Sequence, residues 1–288
     1  MTGERSQRLN GLQNAAVGSL AGMIEVMIQQ PTIAMKNAVQ QGRAIPWSVP
    51  ALYRGVGVSL GSIAPINAVQ FAANGRLLRL LNTPDGANSD SIKILCGALS
   101  GIGSSAISAP AELAMTLQQN SGKSFGATIR EVAEHGGVPR LFRGFTVTAI
   151  REALWAAGYL AVGPVLTEKM HILSPEVFGD AEMASLSQKA SASAVGSILA
   201  GLLTVVGTQP VDTVKTVMQG QTLSLPPGRA TSSLHVAQQI YARDGLGAFY
   251  RGIVPRGGRI IGAVFILGQA RIYLEEMFEE YEFLKNVY

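Results

Sequence analysis

The sequence predicts an all-α membrane protein: six transmembrane helices in three pseudosymmetric two-helix repeats, with short helices on one face. Three observations carry that expectation. Charged residues make up only 15% of the 288 residues and the mean hydropathy is +0.25, against roughly 25% charged residues in soluble domains. Uncharged runs of span length recur along the chain. One pattern of small residues, proline, glutamine and an aromatic-Arg-Gly triplet appears three times.

The runs come first. Gly55 to Gly75, Ile94 to Ala111 and Ala190 to Val211 contain no charge, and each is about long enough to cross a ~30 Å hydrocarbon layer as helix. Stretches 11–37, 146–168 and 254–275 read as further spans with a few interior charges: Glu25, Arg151, Glu152, Arg256 and Arg259. A charge at mid-membrane is costly, so these side chains are expected to face protein or a water-filled cavity. The 33 glycines suit close helix packing in lipid.

Composition also excludes. The single cysteine, Cys96, rules out an intramolecular disulfide framework, and three histidines in unrelated contexts make a metal cluster unexpected. A net charge of +4 without basic runs gives no nucleic-acid footprint. No phosphate loop, His-Glu-x-x-His motif or nucleophile triad is present, so neither an enzyme nor a bound cofactor is expected. The opening Met1-Thr2-Gly3-Glu4-Arg5 has no apolar signal core, and targeting information is expected to be internal.

Loop charge sets the topology. Segments 38–54, 120–143 and 218–251 each carry a net +2, whereas 83–91 and 168–188 carry −2 and −3. Basic loops stay on the side from which the protein is inserted. The three long loops therefore share one compartment, with both termini opposite, and an even number of spans follows.

The repeats span 11–82, 91–170 and 185–280. Each opens with small residues four apart: Gly18 and Gly22, Gly97 and Gly101, Ser197 and Gly201. Such pairs let helix backbones approach where lipid offers no hydrophobic drive between helices. Nine residues on come Pro31, Pro110 and Pro210, which remove a backbone donor and favour a kink. Nine further on come Gln40, Gln119 and Gln219. The triplets Tyr53-Arg54-Gly55, Phe142-Arg143-Gly144 and Tyr250-Arg251-Gly252 then introduce the second span of each repeat. Three kinked first helices at equivalent positions are expected to converge and close one end of a central cavity.

This arrangement resembles the mitochondrial carrier family over nearly the whole chain, as a divergent member. Pro210-Val211-Asp212-Thr213-Val214-Lys215 is similar to that family's Pro-x-acid-x-x-base motif, and 243–252 looks like its matrix helix and exit. The resemblance implies a three-fold barrel in the mitochondrial inner membrane, multi-pass, with termini in the intermembrane space. It implies a matrix gate in which Glu112 pairs with Lys215 and Asp212 with Lys36. The third pair would join Ile33 to Met115, both apolar, and losing both partners together avoids stranding one charge. The acids of the opposite gate are replaced by Gly75, Pro164 and Arg271. The first repeat's matrix segment is short, and Ile45-Pro46-Trp47-Ser48-Val49-Pro50 does not read as helix.

By the same resemblance, solute contacts fall on Ser62, on Arg151 and Glu152, and on Arg259, with Arg256 one turn before it. An arginine can grip a carboxylate through two hydrogen bonds and an acid can hold an ammonium. The expected function is exchange of a small carboxylate or amino-acid-like solute across an organellar inner membrane by alternating access. The expected partners are that solute and membrane lipid, cardiolipin among them. The alternative is a carrier-derived structural subunit of a larger membrane complex that no longer transports.

Overall fold

The computed structural model describes residues 11–81, 89–180, 183–226 and 231–264, with residues 266, 270, 273, 274 and 277. Every regular element among them is helical. The long helices are α1 (Gly11–Gln40), α2 (Val56–Leu80), α3 (Asp90–Ser121), α4 (Phe125–Gly136), α5 (Phe145–Ala157), α6 (Gly163–Leu173), α7 (Leu186–Gly220), α8 (Ser233–Asp244) and α9, over 253–264. A π turn, Gly158–Val162, joins α5 and α6 into one span. Six long helical segments therefore alternate with shorter ones. Val49–Leu80, Asp90–Ser121 and Ser187–Gly220 are long and apolar enough to cross a membrane by composition alone. The segments α1, α5–α6 and α9 carry the interior charges.

Local chemistry sets the boundaries. Ser89, Ser124, Ser185 and Ser232 cap α3, α4, α7 and α8, each accepting from a backbone N–H in the first turn. Such caps satisfy a donor the helix itself cannot. The prolines 31, 110 and 210 lie inside α1, α3 and α7, which continue through them. The triplet glycines Gly55, Gly144 and Gly252 all adopt positive φ, 82°, 83° and 78°. That conformation is nearly free for glycine and strained for other residues, which accounts for the third triplet residue in every copy.

Small residues close the helices into a ring. A side chain at Gly101 would strike the Glu152 carbonyl of α5, and one at Gly97 would lie 3.0 Å from the Ala157 Cα. Gly158 packs on Thr204 and Gly196 on Thr167, seating α5–α6 against α7. Gly201 faces Ile260 and Gly257 faces Leu202, bringing α9 onto α7. Gly262 meets Gln29 and Gly22 meets Ile63, which bind α1 to α9 and to α2. Gln70 of α2 then hydrogen-bonds Ser104 of α3 at 2.9 Å, completing the circuit. Large apolar side chains point outwards: Ile28, Phe71 and Leu203 are 56%, 53% and 63% exposed. Many buried positions within the long helices hold Ala, Ser, Thr or Gln, alongside two aliphatic clusters built around Leu113, Leu117 and Val132 and around Val214, Val236 and Ile240. This inversion suits a lipid surround.

The second and third repeats carry amphipathic helices α4 and α8, each followed by a 3₁₀ turn, Val138–Phe142 or Leu246–Tyr250. The first repeat has only the single turn Val49–Leu52 there. Pro46 and Pro50 and the short segment leave no room for more.

Candidate functional site

Inside the ring is a cavity of about 280 Å³. Its floor is where α1, α3 and α7 converge. Lys36 Nζ of α1 lies 2.9 Å from Asp212 Oδ2 of α7, and Lys215 Nζ of α7 lies 3.0 Å from Glu112 Oε2 of α3. Gln40 donates a second hydrogen bond to Asp212 Oδ2 at 2.9 Å. Asp212 is 1% exposed and Lys215 3%. Ions this deeply buried persist only when paired and hydrogen-bonded, and these are.

The third side of the floor is built differently. Ile33 and Met115 line the cavity where a pair would sit. Below them, Asn37 Nδ2 donates to Gln119 Oε1 at 2.7 Å and Asn120 Nδ2 to Gln41 Oε1 at 2.8 Å. Gln30 and Gln119 both donate to the Arg54 carbonyl, at 3.2 and 3.5 Å. The α1–α3 seam is thus held by neutral amides where the other two use ion pairs.

Arg151 stands one layer above and is not idle. Its Nη2 donates to Glu112 Oε1 at 2.6 Å and to Glu152 Oε1, and its Nε lies 3.7 Å from Asp212 Oδ1. Adjacent helical residues point about 100° apart, yet the long arginine side chain folds back to its neighbour. Glu152, 5% exposed, also accepts from Gln70 Nε2 at 3.1 Å. The sequence allows both groups either to meet the solute or to pair with neighbouring helices; the structure ties them to the floor and to α2. Gln70 is an addition from the structure; its only sequence signal is that it is one of three amides, with Asn67 and Asn74, inside an uncharged span.

The remaining candidates differ in freedom. Arg259 lines the cavity with its side chain 37% exposed, and its Nη2 reaches Glu25 Oε1 of α1 at 3.2 Å. Arg256 is 8% exposed and donates to Gln209 Oε1 at 3.0 Å and Thr208 Oγ1 at 2.8 Å. Ser62 lines the cavity while its hydroxyl donates back to the Ser59 carbonyl at 3.2 Å. Trp155 and Asn67 line it as well. Among the described residues no His, Cys, Asp or Glu cluster suits a metal ion. Chemically, the site is a small polar chamber with arginines on two walls and a floor that ion pairs hold shut.

Towards the ends of α2 and of the α5–α6 span away from the ion pairs, Asn74-Gly75 and Gly163-Pro164 occupy the positions where the resemblance expects acids of a second gate. The third such position includes Arg271, outside the described residues.

Comparison with known proteins agrees with this architecture. A family model described as mitochondrial carrier protein matches residues 88–171 and 187–280. An uncharacterized mitochondrial carrier of Schizosaccharomyces pombe is 26% identical, covering 90% of this chain and 92% of its own. The mitochondrial tricarboxylate transport protein A of Danio rerio is 28% identical over 87% of this chain and 74% of its own. Mitochondrial glycine transporter A of Danio rerio is 34% identical, over 47% of this chain and 42% of its own. The names of these relatives span a tricarboxylate and an amino acid, so similarity alone leaves the solute open.

Proposed function

The chain belongs to the mitochondrial carrier protein family, a family of solute transporters and not enzymes, and we propose that it exchanges a small carboxylate or amino-acid-like solute across the mitochondrial inner membrane. The observation that carries the reading is the position of the chamber. Arg151 and Arg259 face a cavity of about 280 Å³ directly above the pairs Lys36–Asp212 and Lys215–Glu112. That volume is near the lower end of the roughly 300–1,000 Å³ usual for small-molecule pockets, and it suits a metabolite of a few carbons.

The proposed cycle is alternating access about this chamber. The solute enters from the side opposite the ion pairs and is held by Arg259 and by Arg151 with Glu152. The ion pairs then part, α1, α3 and α7 separate, and the chamber opens to the other side. A ligand drives such a change only by binding one state better than the other. The shared carboxylate of Glu112, bonded to both Lys215 and Arg151, supports a direct link: an anion that draws Arg151 away weakens the floor. The net positive charge of segments 38–54, 120–143 and 218–251 supports a matrix-side floor with the termini in the intermembrane space. Lipid, cardiolipin among it, would surround the exposed apolar surface.

The test is reconstitution of purified protein in liposomes, with exchange measured for carboxylates, keto acids, amino acids, phosphate and nucleotides. A transported solute should also raise the melting temperature with concentration. Arg259→Ala is expected to abolish exchange while leaving the fold intact by circular dichroism; unchanged exchange would overturn the site. A second reading, a structural subunit of a larger membrane complex, is favoured by one observation: Arg151 is consumed internally by Glu112 and Glu152. A well-folded sample with neither exchange nor a melting shift for any solute would select that reading, and co-purification from the native membrane would identify its neighbours.

A further inference from the structure

We propose that Glu25, a buried carboxylate on α1 outside the three carrier repeats' motif positions, sets the net charge of the solute at one negative. The proposal rests on the transport reading and sharpens it to a charge class.

Charge balance in the chamber is the basis. Lys36, Lys215 and Arg151 are matched by Asp212, Glu112 and Glu152 through the ion pairs of the floor and the layer above it. Two cations on α9 remain. Arg259 is met from behind by Glu25, which is 5% exposed and accepts from Arg259 Nη2 at 3.2 Å and from Gln29 Nε2 at 2.9 Å. Glu25 is therefore a fixed counter-charge, oriented by its own helix and out of reach of bulk water. Arg256 has no such partner. Its two hydrogen bonds go to the neutral acceptors Gln209 and Thr208, and among the described residues no carboxylate lies within the 4.0 Å of an ion pair.

Arg256 is attracted by the Asp212 carboxylate, but Asp212 is shared with Lys36, Lys215 and Arg151. The five cations Lys36, Lys215, Arg151, Arg256 and Arg259 thus outnumber the four carboxylates Asp212, Glu112, Glu152 and Glu25 by one, an excess that an incoming anion relieves. Arg256 and Arg259 are three residues apart, on one face of a helix, and both line the chamber. Arg259 Nε is buried without a hydrogen-bond partner, so a donor stands ready beside Arg256, which pairs directly with no carboxylate among the described residues. A carboxylate seated on this turn finds one free positive charge rather than two, because Glu25 has cancelled the other. The solute class that completes the site is a monocarboxylate, or an amino acid with one carboxylate in excess of its ammonium. A dianion would exceed the available charge, and a neutral zwitterion would leave Arg256 unbalanced.

The test uses the full chain in liposomes and compares exchange of lactate and glutamate (net −1), succinate and 2-oxoglutarate (net −2) and alanine (neutral). The wild-type protein is expected to favour the −1 solutes at least ten-fold. Glu25→Gln uncovers the second cation and should shift the ratio at least ten-fold towards the dianions, while Glu25→Asp retains the wild-type order. Arg256→Gln should shift it towards alanine. Circular dichroism and melting establish that each variant is folded, and melting shifts with the same solutes provide a binding readout for any variant too slow to assay. Exchange that favours dianions in the wild-type protein, or an unaltered ratio in folded Glu25→Gln, overturns the charge assignment alone. No exchange and no melting shift from folded wild-type protein overturns the transport reading beneath it.

Discussion

The three seams at the floor of the chamber do the same job with different chemistry. Between α3 and α7, and between α7 and α1, the contact is an ion pair: Lys215–Glu112 at 3.0 Å and Lys36–Asp212 at 2.9 Å. Between α1 and α3 it is apolar, Ile33 and Met115, with the amide pairs Asn37–Gln119 and Asn120–Gln41 beneath. A buried ion pair is costly to desolvate and severe to break singly. A neutral seam is cheaper to part and leaves nothing stranded. In the proposed cycle the floor is therefore expected to open asymmetrically, with the α1–α3 seam the first to part. The same side of the molecule lacks the amphipathic helix that α4 and α8 supply elsewhere.

The largest effect should come from stranding a charge in an ion-paired seam. Asp212 accepts from Lys36 and Gln40, with Lys215 and Arg151 each 3.7 Å away. Asp212→Asn keeps the shape and removes the charge around which these cations gather. A loss of roughly 3–5 kcal/mol is expected, read as a large fall in melting temperature in detergent. The double variant Asp212→Asn with Lys36→Met should recover part of it, since no lysine is then unpaired. A single variant that melts like wild type would mean that the two kinds of seam do not differ in energy.

Much of this floor was legible in the sequence, and the reason is register. Three copies of one pattern supply the register, and the resemblance to the family's proline motif, mapped onto it, implies Lys36, Glu112, Asp212 and Lys215. The first repeat's missing helix was legible too, because Pro46 and Pro50 forbid it. Side-chain choice among near neighbours was not. Arg151 reaches Glu112, Glu152 or open water by rotating a few torsions, and spacing says nothing about which. Glu25 was visible as an interior charge, but its partner Arg259 lies 234 residues on. Only closure of the ring between α9 and α1 brings them together. The π turn at Gly158–Val162 likewise had no signal beyond a glycine.

A smaller effect should follow from converting the neutral seam into an ionic one. Ile33→Glu alone places a carboxylate beside the cavity with no dedicated cation and should lower stability by about 1–3 kcal/mol. Adding Met115→Lys supplies the partner. A coupling of about 0.5–3 kcal/mol between the two substitutions is expected from a double-mutant cycle on melting. If the neutral seam is the one that parts most easily, exchange by the double variant should slow several-fold although the protein is the more stable of the pair. Equal or faster exchange would place the barrier at the ion-paired seams.

The smallest effect concerns how each repeat anchors its triplet arginine, outside the spans. Arg251 is the only one of the three with a carboxylate partner among the described residues: Asp244 Oδ2 accepts from its Nη1 at 2.6 Å and from Arg243 Nε at 2.9 Å. Arg143 instead donates Nε to the Met218 carbonyl at 2.9 Å, and Arg54 lies against Gly122. The hydrogen bonds from Arg251 and then Arg243 hold the Asp244 carboxyl below its ordinary value of 3.8. A group depressed on folding contributes stability above its unfolded pKa, and that contribution fades as pH falls through the folded one. Asp244→Asn should therefore melt slightly below wild type at neutral pH, and the two should converge in acid below the ordinary carboxylate range. The corresponding change in repeat two, Arg143→Gln, removes a bond to a carbonyl that does not titrate. Its deficit should not vary with pH over that window, so the pair of titrations separates an ionic anchor from a neutral one at equivalent positions of the same fold.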